Sequence, residues 1–528
     1  MGDRNKGWKG NEQMKINRYR LKEVKLALDE SPNVIPELIC KKYGEKNMSV
    51  MDMKIIRESI DARKKTDIRK VYTVDFSTDR KLDLHEAPSY NYIKVPSGTE
   101  KMEHRPIVVG FGPCGMFCAL ELASRGYKPI VIERGYAMDD RIREVQKFWR
   151  KGVLNPECNV QFGEGGAGTF SDGKLTTGIK DPRVQRVLEE FVSAGADERI
   201  LYQQKPHIGT DVIRQVVVNI RYKIESLGGV IKFDARMNHL ILEEGMVKGL
   251  MVQSGSQLYK LEADDIVLAI GHSSRDTLRR LKESGLQMKQ KPFSIGVRAE
   301  HPQELIDRSQ YGEVAGNQYL PHATYQLAHH CENGRGVYTF CMCPGGEVIV
   351  ASSEPGCVVT NGMSNHARNS GVANSGVLVD VRPDDFGSDD VLAGVEFQEK
   401  YERIAYKNGG GKYHAPKTTW GEFRDGTPES QKVTECLPEF AVDAIKEAMP
   451  EFGKRIKGFD ADDTVFTAVE ARSSSPVRIE RGDGMVSNIK GLYPGGEGAG
   501  YAGGITSSAC DGIKIAEELI RKYAPFED

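Results

Sequence analysis

Three glycines near residue 110 have a spacing that can hold a diphosphate. The segment reads Gly110-Phe-Gly112-Pro113-Cys114-Gly115. In this pattern the first glycine allows a tight turn and the second lets a pyrophosphate approach the backbone. The third lets a helix pack closely on the preceding strand. We therefore predict cofactor contacts at Gly110, Gly112, Pro113, Cys114 and Gly115.

The elements around these glycines complete the pattern. A buried-type strand over residues 106–109 precedes them, and a helical run over residues 116–124 follows. That helix would present unpaired amides and its positive dipole end to a phosphate. A second strand, residues 129–132, ends at Glu133, which could accept hydrogen bonds from a ribose, with Arg134 beside it. FAD, NAD and a simple tight turn without ligand all remain open on these residues alone.

A second glycine-rich segment lies near the C-terminus. Six glycines fall within residues 495–504, and a helix is predicted over residues 505–523. Bare backbone followed by a helix N-terminus suits the negative edge of a reduced flavin. The alternative is a helix-opening turn without a ligand. The predicted cofactor contacts here are Gly496, Glu497, Gly503, Gly504 and Ile505.

A strand that runs into a small-residue turn over residues 264–271 also favours FAD over NAD. It resembles the strand that returns beside the dinucleotide in FAD enzymes of the glutathione-reductase type. We predict contacts from Ala269 and Gly271. Another buried strand without a ligand is the alternative.

Residues 163–168 match the same glycine pattern without its context. No apolar strand precedes them and no amphipathic helix follows, so we predict no second dinucleotide-binding unit for NAD(P)H here. We expect this loop to pass near the ribityl chain or the flavin ring, or to be an ordinary surface turn. Its predicted contacts are Gly165, Gly166, Thr169, Asp172 and Lys174.

Two arginines shortly before the second glycine-rich segment are candidates for catalysis. Arg472 and Arg478 could bind a carboxylate substrate through two hydrogen bonds or stabilise charge on the ring. Salt bridges to Glu470 or Glu480 are the alternative. Further candidates for lining the substrate cavity are Asn361, Ser364 and Arg368.

Cys343 and His330 complete the predicted catalytic set. The pair Cys341 and Cys343 suggests a disulfide reductase, but cysteines two apart on one strand point the same way and bridge poorly, which favours packed thiols. His330 lies with His322 and His329 in an aromatic-rich stretch. One of the three could protonate a substrate, and surface histidines are the alternative.

These segments together resemble a family of bacterial FAD-dependent dehydrogenases of poorly defined function, often labelled NAD(FAD)-utilising. The matching segments are residues 59–65, 110–115, 162–168, 343–346, 474–478 and 496–504. The resemblance implies a Rossmann-like FAD-binding domain with an inserted substrate domain. It gives no substrate.

The predicted fold class is α/β, with a βαβ-based three-layer FAD-binding domain interrupted by a mixed α+β substrate domain. The predicted domains are an N-terminal α+β domain over 1–100, the first part of the FAD-binding domain over 101–289, the inserted domain over 290–460 and the C-terminal part of the FAD-binding domain over 461–528. The insertion should contain helices over residues 396–406 and 438–449.

Apolar spacing within the first 100 residues predicts two helices and one strand. The first helix is indicated by Leu21, Val24 and Leu26, and the second by Met53, Ile56 and Ile60. Residues 71–76 alternate apolar and polar side chains, which predicts a strand.

Composition excludes several classes of protein. The net charge of −2 gives no general attraction to a polyanion, and ten scattered cysteines indicate reduced thiols with no metal site. The longest uncharged run, residues 107–120, is too short to span a membrane, and the charged N-terminus does not fit a signal peptide. We expect a cytoplasmic protein.

The sequence therefore predicts an FAD-dependent oxidoreductase, a dehydrogenase or reductase acting on a small molecule, with hydride passing through the flavin and NAD(P)H as a candidate transient donor. An RNA-associated flavoprotein is the alternative, because basic side chains outnumber acidic ones in residues 1–70. The interleaved acidic side chains disfavour a nucleic-acid partner. A flavin-holding scaffold without turnover is the third hypothesis.

Overall fold

The computed structural model describes residues 16–43, 48–88 and 92–527, which fall into two compact units. The first unit contains the chain up to residue 91 with two short segments, Leu201–Gln204 and Asn317–Leu320. The remaining residues form the second unit. Within the described ranges, no helix is long and apolar enough to cross a membrane.

The first unit is an antiparallel sheet with one helix. Its elements are β1 (Asn17–Leu26), α1 (Ile35–Tyr43), β2 (Met51–Asp61) and β3 (Arg69–Thr78). The strand order is β1-β3-β2. Side chains of β1, α1 and β3, such as Leu26, Ile39 and Val74, form its hydrophobic core.

Both helices predicted in this unit are wrong, because β1 and β2 occupy those residues. The pairing of β1 with β3 shifts between Leu21 and Val24, and β2 has comparable shifts. A β-bulge inserts an extra residue, so apolar side chains that share one face are separated by three positions instead of two. Helical spacing and bulged-strand spacing then look alike in the sequence. The strand predicted at residues 71–76 is confirmed as part of β3.

The second unit contains most of the strands. In chain order they are β4 (Ile107–Val109), β5 (Ile130–Ile132), β6 (Val230–Lys232), β7 (Arg236–Glu243), β8 (Met246–Ser254), β9 (Gln257–Glu262), β10 (Ile266–Leu268), β11 (Met288–Gln290), β12 (Phe293–Pro302), β13 (Ala328–His330), β14 (Gly336–Cys343), β15 (Glu347–Val350), β16 (Thr360–Met363), β17 (Val372–Val381), β18 (Lys417–Thr419), β19 (Val465–Glu470), β20 (Val477–Ile479) and β21 (Leu492–Pro494).

The second unit also contains most of the helices. In chain order they are α2 (Pro113–Ser124), α3 (Met138–Lys151), α4 (Arg183–Ser193), α5 (Thr210–Ser226), α6 (Arg275–Glu283), α7 (Gln303–Tyr311), α8 (Ala393–Asn408), α9 (Trp420–Asp425), α10 (Pro428–Thr434), α11 (Glu439–Arg455) and α12 (Ile505–Lys522). The predicted helices at residues 116–124, 396–406, 438–449 and 505–523 are confirmed within α2, α8, α11 and α12.

A five-stranded parallel sheet carries the first glycine segment. Its order is β21-β10-β4-β5-β6, so strands from opposite ends of the sequence are neighbours. The short runs of β-branched residues in β4, β5 and β10 are almost wholly buried, as expected for a sheet covered on both faces. The fold is therefore mixed α/β with a parallel sheet.

The two faces of this sheet contact different layers. On one face, Val108 approaches Gly115 of α2, and α2 packs against α12. On the other, Ile107 and Val109 share a hydrophobic cluster with side chains of the antiparallel meander β7-β8-β9 and of α6. Helix α2 is apolar and buried on nearly all sides, which explains why it runs through the interior.

The segment between β10 and β21 contains a six-stranded antiparallel sheet. Its order is β13-β14-β17-β12-β19-β18, and α11 packs against β13, β14 and β17. After β19 and β20 the chain returns to the parallel sheet through β21, next to β10. The domain boundaries given above stay predictions.

Candidate functional site

A cavity of about 760 Å³ opens at the carboxyl ends of the parallel strands. Val109 at the end of β4, Ile132 at the end of β5, Ala269 just after β10 and Gly495 just after β21 all line it. This edge of an open parallel sheet is where α/β proteins bind ligands, because the loops there diverge. Residues of the six-stranded sheet, including Phe340 of β14, form another part of the wall.

The first glycine segment turns directly into helix α2. Gly110 has φ +101, and a Cβ there would lie 2.3 Å from the carbonyl oxygen of Ala269. Gly112 is the N-cap of α2 and no side chain caps it, so the first amides of the helix are left for a ligand. A Cβ on Gly112 would have only Gly166 Cα nearby, at 3.8 Å. The wall is therefore open where a diphosphate is expected.

The C-terminal glycine segment makes a second helix start at the same cavity. Helix α12 begins at Ile505, and its N-cap Gly504 has φ +127 with no side-chain cap. A Cβ on Gly503 or Gly504 would meet nothing within 4 Å. Behind this segment, the amide of Gly496 donates to Asp511 of α12 at 2.8 Å. Two uncapped helix N-termini thus line one cavity from distant parts of the chain.

Glu133 lines the cavity and also holds two loops together. Its carboxylate accepts hydrogen bonds from the amides of Phe111 at 2.8 Å, Gly135 at 2.9 Å and Gly163 at 2.9 Å. A carboxylate has room for about four acceptor contacts, so capacity for a ribose hydroxyl remains. Beside it, Arg134 pairs with Glu157 and Asp276.

Most of the residues predicted to contact a cofactor line this cavity. They are Gly110, Gly112, Pro113, Cys114, Glu133, Arg134, Gly166, Lys174, Ala269, Gly271, Gly496, Glu497, Gly503, Gly504 and Ile505. Gly115, Gly165, Thr169 and Asp172 do not belong to the lining.

These four exceptions have packing reasons. A Cβ on Gly115 would lie 1.9 Å from Gly110 O, and one on Gly165 would lie 2.3 Å from Thr169 Oγ1. Thr169 donates to Glu164 O at 3.1 Å. The buried Asp172 carboxylate accepts hydrogen bonds from Ser364 and Arg368.

The segment of residues 163–168 does not form a strand–turn–helix unit. It leads into a short 3-10 helix, Gly166–Phe170. The amide of Gly165 donates to Phe111 O at 3.0 Å, which holds this loop against the first glycine segment. It therefore contributes a wall to the same cavity.

Arg472 lines the cavity, but its guanidinium is already neutralised. It hydrogen-bonds Glu402 through Nε at 2.8 Å and Nη2 at 2.7 Å, and Glu354 at 3.2 Å. Arg275 binds the same two carboxylates. Burial opposes ionisation of Glu402, yet these two arginines hold its pKa at about 2. Arg472 thus forms ion pairs, with partners other than the predicted Glu470 or Glu480.

The other predicted catalytic residues lie outside the lining. Arg478 donates to Gly500 O at 3.1 Å and stacks on Tyr501. His330 is exposed on β13. Cys343 is fully buried.

Cys341, and not Cys343, faces the cavity. The pairing of β14 with β17 shifts between Phe340 and Cys343, and Cys341 has φ +45. This bulge breaks the simple alternation on which the sequence argument depended. Both thiols are free, as are the other cysteines.

Glu470 and His272 are among the ionisable groups of the lining that the sequence prediction missed. Glu470 binds Arg298, with a 3.1 Å contact from Nη2, and burial raises the pKa of Glu470 to about 7. His272 Nδ1 lies 3.5 Å from Glu497 Oε1. Burial, then Arg472 and Arg275, lowers the pKa of His272 to about 3. His272 could have been found from the sequence, because it is a polar residue directly after the turn that follows β10.

Two comparisons bear on the family. Residues 292–473 match the family described as "FAD-dependent protein, C-terminal domain-like". An uncharacterized protein of Clostridium beijerinckii is 46% identical over 532 residues, which covers 96% of this chain and 99% of that protein. The chain belongs to this FAD-dependent protein family. Residues 19–77, within the first unit, match a domain of unknown function.

Three solved structures have a partial likeness to this chain. A glycerol-3-phosphate dehydrogenase from Bacillus halodurans complexed with FAD is 12% identical, with a TM-score of 0.36, covering 80% of this chain and 65% of that one. A geranylgeranyl bacteriochlorophyll reductase-like protein from Thermoplasma acidophilum is 13% identical, with a TM-score of 0.36, covering 80% and 79%. Glycine oxidase from Bacillus cereus is 11% identical, with a TM-score of 0.32, covering 80% and 99%. These overall likenesses are weak.

Proposed function

We propose that this chain is an FAD-dependent oxidoreductase that acts on a small molecule. The observation that carries the proposal is the meeting of two glycine-capped helix N-termini, of α2 and α12, at one cavity. A dinucleotide with a negatively charged ring edge needs positive dipole ends at two separated points. Family membership supports FAD as that dinucleotide.

The residues present fit the parts of FAD. The uncapped start of α2 and the bare backbone at Gly112 would receive the pyrophosphate, and Glu133 would accept a ribose hydroxyl. The start of α12, with open space at Gly503 and Gly504, would face the isoalloxazine. When bound, FAD supplies hydride transfer, and the protein supplies binding, orientation and proton transfer.

Glu470 is the proposed proton-transfer residue. Its carboxyl lines the cavity, and a pKa of about 7 allows it to hold or release a proton near neutrality. Arg298 holds the Glu470 carboxylate in place. The Arg298 guanidinium is itself fixed, because it donates to Asn361 Oδ1 at 3.3 Å and to Asn374 Oδ1 at 3.0 Å. His272 is neutral at that pH and would serve as a hydrogen-bonding group without a charge.

We propose NAD(P)H as a transient electron donor that binds over the flavin. Support comes from the size of the cavity, which extends beyond the glycine segments to the wall of the six-stranded sheet. The extra glycine pattern at residues 163–168 is already used in that wall and offers no separate binding unit. A donor would then share the substrate side of the flavin.

Two measurements test these proposals in order. The purified protein should show flavin absorbance, and denaturation should release FAD, identified by mass. Release of no flavin, or of a different one, would refute the function. Anaerobic mixing with NADH and with NADPH should then bleach the visible band. A flavin that stays oxidised with both donors would refute the donor alone.

A further inference from the structure

One part of the cavity wall, beside β14, is rich in cations. Lys174, Lys205 and Arg368 all line it, together with neutral side chains of β14 such as Thr339 and Phe340. Lys174 was predicted as a cofactor contact, but the flavin-binding features proposed above use neither Lys205 nor Arg368. The positions of these two cations beside Lys174 therefore need a separate explanation.

Paired backbone segments hold the two lysines close together. Residues Lys174 and His207 form an antiparallel bridge, and the amide of Leu175 donates to Pro206 O at 3.0 Å. The Lys174 ammonium reaches the Met342 carbonyl of β14. Lys205 Nζ donates to Thr324 Oγ1 at 2.6 Å. Both ammonium groups are thus tied to the cavity wall by neutral acceptors.

Among the described residues, one carboxylate, that of Asp172, forms ion pairs with these cations. Buried Asp172 accepts from Arg368 Nη2 at 2.9 Å and lies 4.0 Å from Lys174 Nζ. Lys205 has no ion-pair partner in the part of the chain that the structure describes. Burial, then Lys174 and Arg368, lowers the pKa of Lys205. The neighbouring Glu470 carboxyl forms its ion pair with Arg298 and not with any of these three cations.

The backbone places Arg368 in this position against its local preference. Arg368 has φ +51, a left-handed conformation that is uncommon for a residue with a side chain. Gly345 packs beneath it, since a Cβ there would lie 1.6 Å from Arg368 O. The Nε of Arg368 is buried without a hydrogen-bond partner among the described residues. Such conformations persist where the surrounding structure imposes them, often at binding sites.

We propose that Lys174, Lys205 and Arg368 form an anion subsite for the substrate, which carries about two negative charges as a dicarboxylate or a phosphate monoester. The arrangement of charges supports an anionic ligand, because three cations face the single carboxylate of Asp172. The cofactor's own diphosphate is expected at the uncapped start of α2. The inference rests on the proposed function, since it makes the substrate of the flavin an anion.

The test is a binding titration of the FAD-loaded protein at constant ionic strength. Succinate and inorganic phosphate are the probes for the two anion classes, and succinamide is the neutral control for succinate. Flavin difference spectra and calorimetric heats are recorded together. We expect at least one anion to bind saturably and succinamide not to bind. The anion that binds more tightly identifies the class.

Variants show whether binding occurs at the subsite. Lys205→Gln loses one cation and only a neutral hydrogen bond, so we expect normal folding and a Kd raised by about tenfold to hundredfold. Arg368→Lys keeps the charge and should weaken binding less than Arg368→Gln. Lys248→Gln, on an exposed position of β8 outside the cavity, is the matched control and should leave the Kd unchanged.

Two results would overturn the subsite. One is the absence of saturable binding by both anions, and the other is equal affinity in Lys205→Gln and the wild type. Flavin content and dithionite reduction are measured on the same samples. If the protein holds reducible FAD but binds neither anion, the anion subsite is refuted and the proposed function still stands. If the protein holds no flavin, the proposed function is refuted, and the calorimetric titration still measures whether the anion binds.

Discussion

Single glycines in the first segment have separable roles. Gly112 adopts φ −78 and ψ −177, which any residue can adopt, and space lies in front of its missing Cβ. Gly115 has no such space, because Gly110 O would be 1.9 Å away. The sequence pattern assigned one glycine to the ligand and the other to packing, and the distances agree with that division. A substitution at Gly112 should therefore affect the ligand without disturbing the fold.

Gly112→Val should purify as a folded protein without FAD. The new side chain extends into the cavity where the pyrophosphate would approach the backbone. We expect less than about a tenth of the wild-type flavin-to-protein absorbance ratio, with an unchanged far-ultraviolet circular dichroism spectrum. Gly482→Val is the control, since a Cβ there would meet nothing within 4 Å and the residue lies outside the cavity. Full flavin content in Gly112→Val would place the diphosphate elsewhere.

His272 should make the protein sensitive to acid. Its folded pKa of about 3 lies below the unfolded value of 6.5, so the unfolded chain binds more protons between these values. Stability attributable to His272 is present above about pH 6.5 and is lost as the pH falls towards 3. The slope is at most about 1.4 kcal/mol per pH unit.

Urea unfolding of the flavin-free protein between pH 7 and pH 4 measures this effect. The free energy of unfolding should fall more steeply in the wild type than in His272→Asn, which cannot take up the proton. Parallel curves for the two proteins would show that His272 is not buried as a neutral group. His239→Asn is the control, because His239 is exposed on β7.

At the scale of elements, short buried strands and the helices that follow glycine turns were predictable. Residues 106–109 and 116–124 could be assigned because a run of β-branched residues changes to helix at the glycines. The bulged strands could not. In β1, Glu23 has φ +58 at the irregularity between Leu21 and Val24, and nothing in the local sequence marks it. The bulge at Cys341 changed a predicted site residue in the same way.

The buried ion cluster joins three elements that the sequence could not bring together. Arg275 lies on α6, Glu402 on α8, and Arg472 after β19. Arginine 472 was singled out from the sequence, but its partner is seventy positions away. Such a partner is set by tertiary packing and has no signature in local spacing.

Glu402→Gln should destabilise the second unit strongly. Without this carboxylate, the buried Arg275 and Arg472 would both pair with the one carboxylate of Glu354. Breaking a buried ion pair costs about 3–5 kcal/mol of unfolding free energy. Chemical unfolding should show a correspondingly lower midpoint. Glu304→Gln removes an exposed pair with Arg308 on α7 and should leave the midpoint unchanged. A small effect in Glu402→Gln would mean that water reaches the cluster.

At the scale of the whole molecule, the cavity is assembled from segments almost 400 residues apart. The sequence alone indicated that the glycines near 110 and near 500 serve one ligand, and both line one cavity. Of the three residues predicted to line the substrate cavity, Asn361 and Arg368 belong to the lining, whereas Ser364 binds Asp172. The sequence did not indicate Lys205 or a proton-transfer role for Glu470. Lys205 and Glu470 reach the cavity through the pairing of the six-stranded sheet and the ladder at Lys174. Long-range register of this kind is not encoded in local spacing.

FAD binding should therefore protect the second unit selectively against hydrogen exchange. A ligand that binds only the folded state adds about 2.7 kcal/mol of stability at a hundredfold excess over its Kd. We expect slower amide exchange in residues 109–116 and 495–508 after FAD is added to the flavin-free protein. These ranges contain the two helix starts at the cavity.

The first unit supplies the internal control for that measurement. Its strands β1, β2 and β3 have their own hydrophobic core, and none of their residues lines the cavity. Their exchange rates should be the same with and without FAD. Protection that appears at residues 109–116 but not at 495–508 would contradict the proposal that both helix starts bind one cofactor, because each contributes its unpaired amides to the same ligand.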